Sequence, residues 1–224
     1  MKDFCLYYLY NYLINNIDLI TKGIMKQYDI NKINNIKIYL FSNNIQQTIV
    51  NYYSYRNTLY NTNLKQIEIY KNLKKNIMQT LSYDYVLQLN DIGVCFDINN
   101  TKYKSIGIIK NSLSAGKVYW SDDKSQTNSY YLEINNDNFL IEYVYYYLKF
   151  IKNKLKDIAN LTSQPNLLKK NLLELLIPVI DINIQKEIVN YCKDFDNFIL
   201  KFKLENENLN NKDIITLINK LYVN

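Results

Sequence analysis

Leu161–Tyr191 reads LTSQPNLLKKNLLELLIPVIDINIQKEIVNY, and this stretch decides the architecture. A polar turn, Thr162 to Asn166, leads into a short helix carrying Leu167, Leu168, Leu172, Leu175 and Leu176. An extended run, Ile177 to Ile180, follows. Asp181 and Asn183 then offer N-cap oxygens to a long helix opening at Ile184-Gln185. The order is loop, short helix, strand-like run, long helix.

The same order occurs earlier in degraded form, as an internal repeat. Ile45-Gln46-Gln47-Thr48-Ile49-Val50-Asn51-Tyr52 stands against Ile184-Gln185-Lys186-Glu187-Ile188-Val189-Asn190-Tyr191, with six of eight positions identical at an offset of 139. Upstream in the same register, Ile33, Ile36 and Ile38 match Leu172, Leu175 and Ile177. After a four-residue slip, Tyr10 to Leu13 echoes Tyr145 to Leu148. The matched apolar positions keep both spacing and order, which a low-complexity background of Ile, Asn, Lys and Tyr does not explain.

Working outward, residues 43–80 read as one helix, since no Gly or Pro occurs between Gly23 and Gly93. Its stripe is Ile45, Ile49, Tyr52, Tyr53, Leu59 and Tyr60, continued after a slip by Leu64, Ile67, Tyr70, Leu73 and Ile77. At 1.5 Å per residue it spans about 57 Å, long for a globular helix. The second long helix carries Ile184, Ile188, Tyr191, Cys192, Phe195, Phe198, Ile199 and Phe202. Between them residues 83–137 hold three of the four glycines and five β-favouring runs: Tyr85–Leu89, Ile92–Ile98, Ser105–Ile109, Lys117–Trp120 and Tyr130–Ile134. Phe139 to Lys156 reads as a helix with aromatic and basic faces. At the start of the chain, residues 4–20 read as a buried helix, Met25 to Ile30 as a turn, Asn31 to Asn35 as a short helical piece and Ile36 to Phe41 as strand-like.

Composition excludes several classes. A hydrophobic content of 48% argues against general disorder. Tyr at 23 against Phe at 8 follows the Ile/Asn/Lys/Tyr bias of an AT-rich coding sequence and says little of function. A net charge of +6 fits a nucleic-acid partner without demanding one. Cys5, Cys95 and Cys192 are scattered and odd in number, which predicts an intracellular chain with neither disulfide framework nor zinc site. The absence of histidine removes Ser-His and Cys-His catalysis. No phosphate-binding GxxxxGK[ST] loop or GxGxxG occurs, and Asp122-Asp123 is better read as a solvated turn than as a metal pair. Polar residues Asn11, Asn15, Asn16 and Asp18 interrupt the apolar start, so no membrane segment is expected. No cofactor is expected.

An ordered set of motifs resembles the specificity (S) subunit of type I restriction–modification systems. The set comprises Ser114 to Trp120, Tyr130-Tyr131-Leu132, Tyr143 to Leu148, Thr162 to Leu167, Leu175 to Val179 and Gln185 to Val189. The resemblance covers roughly residues 90–200, and its specificity lies in order and spacing rather than in any one motif. It implies an α+β fold: a small β-rich target-recognition domain plus two long spacer helices packed as an antiparallel coiled coil. The corresponding layout is a remnant of a first recognition domain over 1–42, a spacer helix over 43–82, the recognition domain over 83–182 and a second spacer helix over 183–224. The missing body of a first domain and the short segment between Ile98 and Ser105 depart from the family pattern.

The resemblance further implies a non-catalytic role, reading a half-site in double-stranded DNA for an adenine-specific methyltransferase subunit; a homodimer would present the reading surface twice. A coiled-coil scaffold and a decayed S-subunit fragment are the competing readings, and an enzyme is a distant third. The family reads DNA with loops, so candidates are loop residues. Lys110, Asn111, Ser112, Ser114 and Lys117 offer cations, an amide and hydroxyls beside Gly116. Lys124, Gln126, Thr127 and Asn128 form a second segment, with Gln and Asn suited to adenine. Ser163, Gln164, Asn166, Lys169 and Lys170 form a third, at a helix start that suits a phosphate. Trp120 is expected in the core rather than stacked on a base.

Overall fold

The computed structural model describes residues 3, 4, 6, 9, 21–22, 27–35, 42–83, 85–97, 104–121, 128–159 and 165–211. In chain order, β1 (Thr21–Lys22) pairs antiparallel with β2 (Gln27–Tyr28). Helix α1 (Ile30–Asn34) follows, capped by the Asp29 carboxylate, which accepts from the Asn31 N–H at 3.0 Å. Then come the long α2 (Asn43–Gln79), β3 (Tyr85–Gln88), the single turn α3 (Leu89–Ile92), β4 (Gly93–Phe96), β5 (Ser105–Ile109), β6 (Val118–Ser121) and β7 (Ser129–Ile134). Helices α4 (Ile141–Phe150), α5 (Lys152–Asp157) and α6 (Lys169–Leu173), strand β8 (Leu176–Val179) and the long α7 (Ile182–Asn211) complete the described chain. Two compact units result, Met1–Glu68 with Ile199–Asn224, and Ile69–Phe198.

The long helices carry a seven-residue repeat. On α2 the half-buried and buried positions include Ile49, Tyr53, Arg56, Tyr60, Asn63, Ile67, Tyr70, Lys74 and Ile77, a run whose steps alternate four and three. On α7 they include the similar run Gln185, Ile188, Cys192, Phe195, Ile199, Phe202, Asn206 and Leu209. That 3.5-residue period is the signature of a left-handed coiled-coil seam. In the first unit, the Asn63 amide donates to Asn206 Oδ1 at 2.9 Å, and Asn206 donates to the Tyr60 carbonyl at 3.4 Å. In the second, Tyr70 meets Phe198 (ring centroids 5.1 Å apart) and Phe195 (5.5 Å), and Lys74 pairs with Asp196 at 2.6 Å. Rising numbers on α2 meet falling numbers on α7, so the pair is antiparallel. The first unit also holds a small core of Phe4, Ile49 and Tyr53.

The seam corrects two expectations. It runs without a slip, because Asn63 and Lys74 occupy seam positions, while Leu64 and Leu73 lie outside it and exposed. A hydrophobicity pattern reads leucines as the inner face; here two polar side chains with hydrogen-bond or ionic partners take their place. Ile184 and Tyr191 are likewise exposed.

In the second unit four strands form an antiparallel sheet in the order β4-β7-β5-β6. One face, with Cys95, Ile106, Ile108, Val118, Tyr130 and Leu132, joins a core that includes Tyr143, Val144 and Leu148 of α4. Gly107 faces Tyr119 and Tyr131 across β6 and β7. A Cβ at Gly107 would fall within the Tyr119 ring, so the residue must be glycine for that tyrosine to lie flat across the sheet.

Strand β3 does not join this sheet. It pairs instead with β8, Tyr85 against Val179 through Gln88 against Leu176, and the ladder extends by a Leu89 N–H to Leu175 carbonyl bond of 2.8 Å. Pro178, with no N–H to donate, lies within this two-stranded pair, and its carbonyl accepts from Tyr143 Oη at 3.1 Å. The expected single helix over 139–156 is broken at Ile151 (φ −82°, ψ 21°) into α4 and α5. Gln27–Tyr28 is strand rather than turn. Of the expected helix over 4–20, Phe4, Leu6 and Leu9 are helical, with Phe4 buried and Leu6 exposed; the expected strand over 36–41 lies outside the described residues.

The buried Gln185, at the first turn of α7, joins three segments. Its Oε1 accepts from the Leu140 N–H at 2.9 Å, and its Nε2 donates to the Asn138 carbonyl at 2.7 Å and the Ile180 carbonyl at 2.9 Å. Its repeat counterpart Gln46 is also buried. Replacing Gln185 by Leu leaves one N–H and two carbonyls without their partner, and should lower stability by roughly 2–4 kcal/mol, read from denaturant unfolding with an unchanged m-value. Asn63→Leu and Asn206→Leu should each cost about 1–3 kcal/mol by stranding a buried amide. The double variant should recover most of that loss, and the coupling in the four-member cycle measures the seam contact.

Candidate nucleic-acid interface

The β5–β6 connection is a closed, hydrogen-bonded loop. The Ala115 N–H bonds the Ser112 carbonyl (2.9 Å), Lys117 N–H bonds that of Ser114 (2.9 Å), and Gly116 N–H bonds that of Ile109 (2.8 Å). Two left-handed residues make the tight path, Ser112 at φ 86° and Gly116 at φ 80°. Gly116 also abuts Leu155 of α5, whose backbone a Cβ would meet at 3.1 Å. The loop therefore rests on α5, and its tip presents Leu113 at 93% exposure with Asn111, Ser112, Ser114 and Lys117 also exposed.

Three loops meet at the base of this tip. Lys110 N–H bonds the Asn128 carbonyl at 2.9 Å, and the Asn128 amide donates to the Asn111 carbonyl at 3.0 Å. On the other side the Leu167 N–H bonds the Lys110 carbonyl at 2.8 Å, and Asn111 forms a β-bridge with Asn166. Lys110 Nζ lies 2.8 Å from Asp97 Oδ1 and 4.9 Å from the Tyr130 ring centroid, while Lys169 Nζ lies 3.7 Å from Asp97 Oδ2. The Lys110 hydrogen bond holds the Asp97 carboxyl below its usual range. Lys170 pairs one turn along with Glu174 at 3.8 Å. Lys117 has no ion-pair partner among the described residues.

The match to known families is decisive at this point. Residues 53–212 fit the model of the type I restriction modification DNA specificity domain. The chain belongs to that family. Its role is accordingly DNA sequence recognition, a specificity component rather than a catalyst. Among solved structures it resembles the S subunit of a type I restriction-modification system from M. genitalium, at 19% identity and TM-score 0.66, covering 93% of this chain and 69% of that one. It also resembles an HsdS subunit from Thermoanaerobacter tengcongensis (13% identity, TM-score 0.51, 92% and 66% covered). A third likeness, at 12% identity and TM-score 0.52 with 89% and 65% covered, is to a chain from work on complex assembly and conformational transition of the type I R-M system. No curated protein sequence matches.

Within this specificity domain, Lys110, Asn111, Asn128, Asn166 and Lys169 converge on one patch, and Ser112, Ser114 and Lys117 extend from it. Lys124, Gln126, Thr127, Ser163 and Gln164 lie outside the described residues. The helix start expected to hold a phosphate is weaker than its sequence suggests: α6 has five residues, and its N-cap is Leu168, with no capping side chain. Trp120 is packed as expected, stacked on Tyr145 at 4.1 Å with Lys104 Nζ 4.0 Å from its ring centroid.

Sequence reasoning passed over Lys152, Lys154 and Lys156, exposed on α5, the helix against which the loop rests. Their signal was present in Lys152-Asn153-Lys154-Leu155-Lys156, cations alternating around a single buried leucine. Among the described residues both cysteines are free and buried. Burial pushes the Cys95 and Cys192 thiols up to about 11, and no cluster of metal-ligating side chains occurs there. Nor is any described helix long and apolar enough to cross a membrane.

Gly116→Ala should strain both the left-handed backbone and the Leu155 contact, costing about 1–3 kcal/mol. For a chain of this size that corresponds to a melting temperature lower by roughly 2–4 °C per kcal/mol, measurable by thermal unfolding.

Proposed function

We propose that this recognition domain reads one half-site of double-stranded DNA through the face built from 110–117, 128 and 166–170. Lys124, Gln126, Thr127, Ser163 and Gln164 act as further contacts on the same loops. The observation that carries this is convergence. Three polar segments far apart in sequence are tied backbone to backbone at Lys110-Asn111, so one rigid patch offers amides, hydroxyls and cations together. Lys117, exposed and without an ion-pair partner among the described residues, serves a phosphate, as do the α5 lysines on the flank. Exposed Asn111 and Asn166 are the described side chains suited to bidentate adenine contact, with Gln126 a further one.

Catalysis falls to a partner, an adenine-specific methyltransferase subunit seated on the helix pair. The chemistry supporting that seat is the exposed leucines outside the seam, Leu64 and Leu204 in the first unit and Leu73 in the second. The setting is intracellular, where DNA and methyltransferase are found. A second copy would present the same face twice and favour a palindromic target.

The test uses the chain co-purified with a methyltransferase subunit, titrated with duplexes selected from a randomised pool across a salt series. Lys117→Ala should weaken binding to all sequences alike and reduce the salt slope by roughly 0.9 for one lost phosphate contact. Asn111→Ala and Asn166→Ala should instead relax preference at single base pairs, by about 1–3 kcal/mol each if the contact is bidentate. A folded complex with no sequence preference at any salt would favour a scaffold and end the DNA-reading proposal.

A further inference from the structure

We infer that Asp97 limits the affinity of this face for DNA, its carboxylate standing between Lys110 and Lys169 in the place of a DNA phosphate. The inference rests on the DNA face proposed above and adds a group that this face does not otherwise use. Asp97 follows the last residue of β4, and its two oxygens are divided between two cations: Oδ1 to Lys110 at 2.8 Å and Oδ2 to Lys169 at 3.7 Å. Those lysines come from different segments, Lys110 from the residue after β5 and Lys169 from the first residue of α6. Their spacing is supported by backbone ties independent of the carboxylate, the Leu167 N–H to Lys110 carbonyl bond and the Asn111–Asn166 bridge. Lys110 is further held over the Tyr130 ring, its side chain only 18% exposed. The Asp97 side chain, by contrast, is 58% exposed.

The arrangement is thus a fixed pair of ammonium groups opening to solvent, filled by a carboxylate that offers one oxygen to each. A phosphate makes the same offer to two cations. Any duplex, matched or not, must displace Asp97 or tolerate its charge in order to use these lysines. Asp97 therefore subtracts about the same free energy from binding to every sequence.

The experiment compares anisotropy titrations of the chain–methyltransferase complex with two 30-bp probes: a duplex selected by the wild-type complex from a randomised pool, and a scrambled duplex of equal composition. D97N and D97S remove the charge, and D97E keeps it. Both neutral variants should bind the scrambled duplex roughly tenfold more tightly at low salt, with a salt slope steeper by about one to two. The selected duplex should gain by the same factor, leaving the specificity ratio unchanged. D97E should behave as wild type. In a K110A/K169A background the effect of D97N should vanish.

The proposal is overturned if the neutral variants leave scrambled binding unchanged or weaker, if D97E shows the same gain, or if the gain persists without the two lysines. K110A/K169A by itself separates this from the parent reading. If the lysine variant binds both probes as wild type does, the patch is not a DNA face and Asp97 falls with it. If it weakens binding while D97N changes nothing, the DNA face stands and Asp97 is only an ion-pair partner.

Discussion

A buried amide fixes the recognition unit. Gln185 has no exposed surface, so each polar atom of its side chain must find a partner inside the protein or forfeit its solvation. The partners it finds are the residues that open α4 and close β8. Asn138, Leu140 and Ile180 are tied to the first turn of α7 by one side chain, and Tyr143 adds a second tie to the Pro178 carbonyl. The start of α4, the β3–β8 pair and the long helix are therefore settled together. An apolar side chain of the same size would fill the space and specify none of these positions.

The repeat gives this constraint a second aspect. Gln46 occupies the matching turn of α2 and is likewise buried, so the Ile-Gln-x-x-Ile-Val-Asn-Tyr segment recurs with its glutamine inward each time. Much of the fold was legible for that reason: a local motif names the start of each long helix, and no residue within α2 breaks it. The sheet strands were legible to within one to three residues at most ends, because β-branched and aromatic runs between glycines and Asn/Asp turns are local signals. Long-range choices were not. Nothing in Tyr85–Gln88 says that its partner is Leu176–Val179 rather than the neighbouring strand, since both pairings satisfy the same backbone groups. Nor does the leucine pattern on α2 reveal that Asn63 and Lys74 face inward, a choice made by Asn206 and Asp196 across the seam.

The site divides along the same line. Its candidate loops stand out in the sequence as polar segments, one of them bearing a glycine, in the pattern of the family. Their convergence on Lys110-Asn111 depends on main-chain hydrogen bonds that have no sequence signature. The pairing of Lys110 with Asp97 reverses a simple charge count: the lysine nearest the centre of the patch is already compensated, while Lys117 at the loop has no ion-pair partner among the described residues. Uncompensated cations raise affinity for any duplex alike, so a difference between duplexes must come from side chains that face the bases.

The seam also sets an order of events during synthesis. Asn63 and Asn206 lie 143 residues apart in the chain. At roughly 5–20 residues per second a ribosome takes about 7–30 s to cover that interval. Throughout it α2 has emerged with its inward stripe bare, while helix formation itself is complete within microseconds. Until its partner appears, that helix is a sticky surface in a crowded cell. The nascent chain thus presents a binding opportunity, to a chaperone, to the companion subunit or to another nascent copy, that the finished molecule conceals.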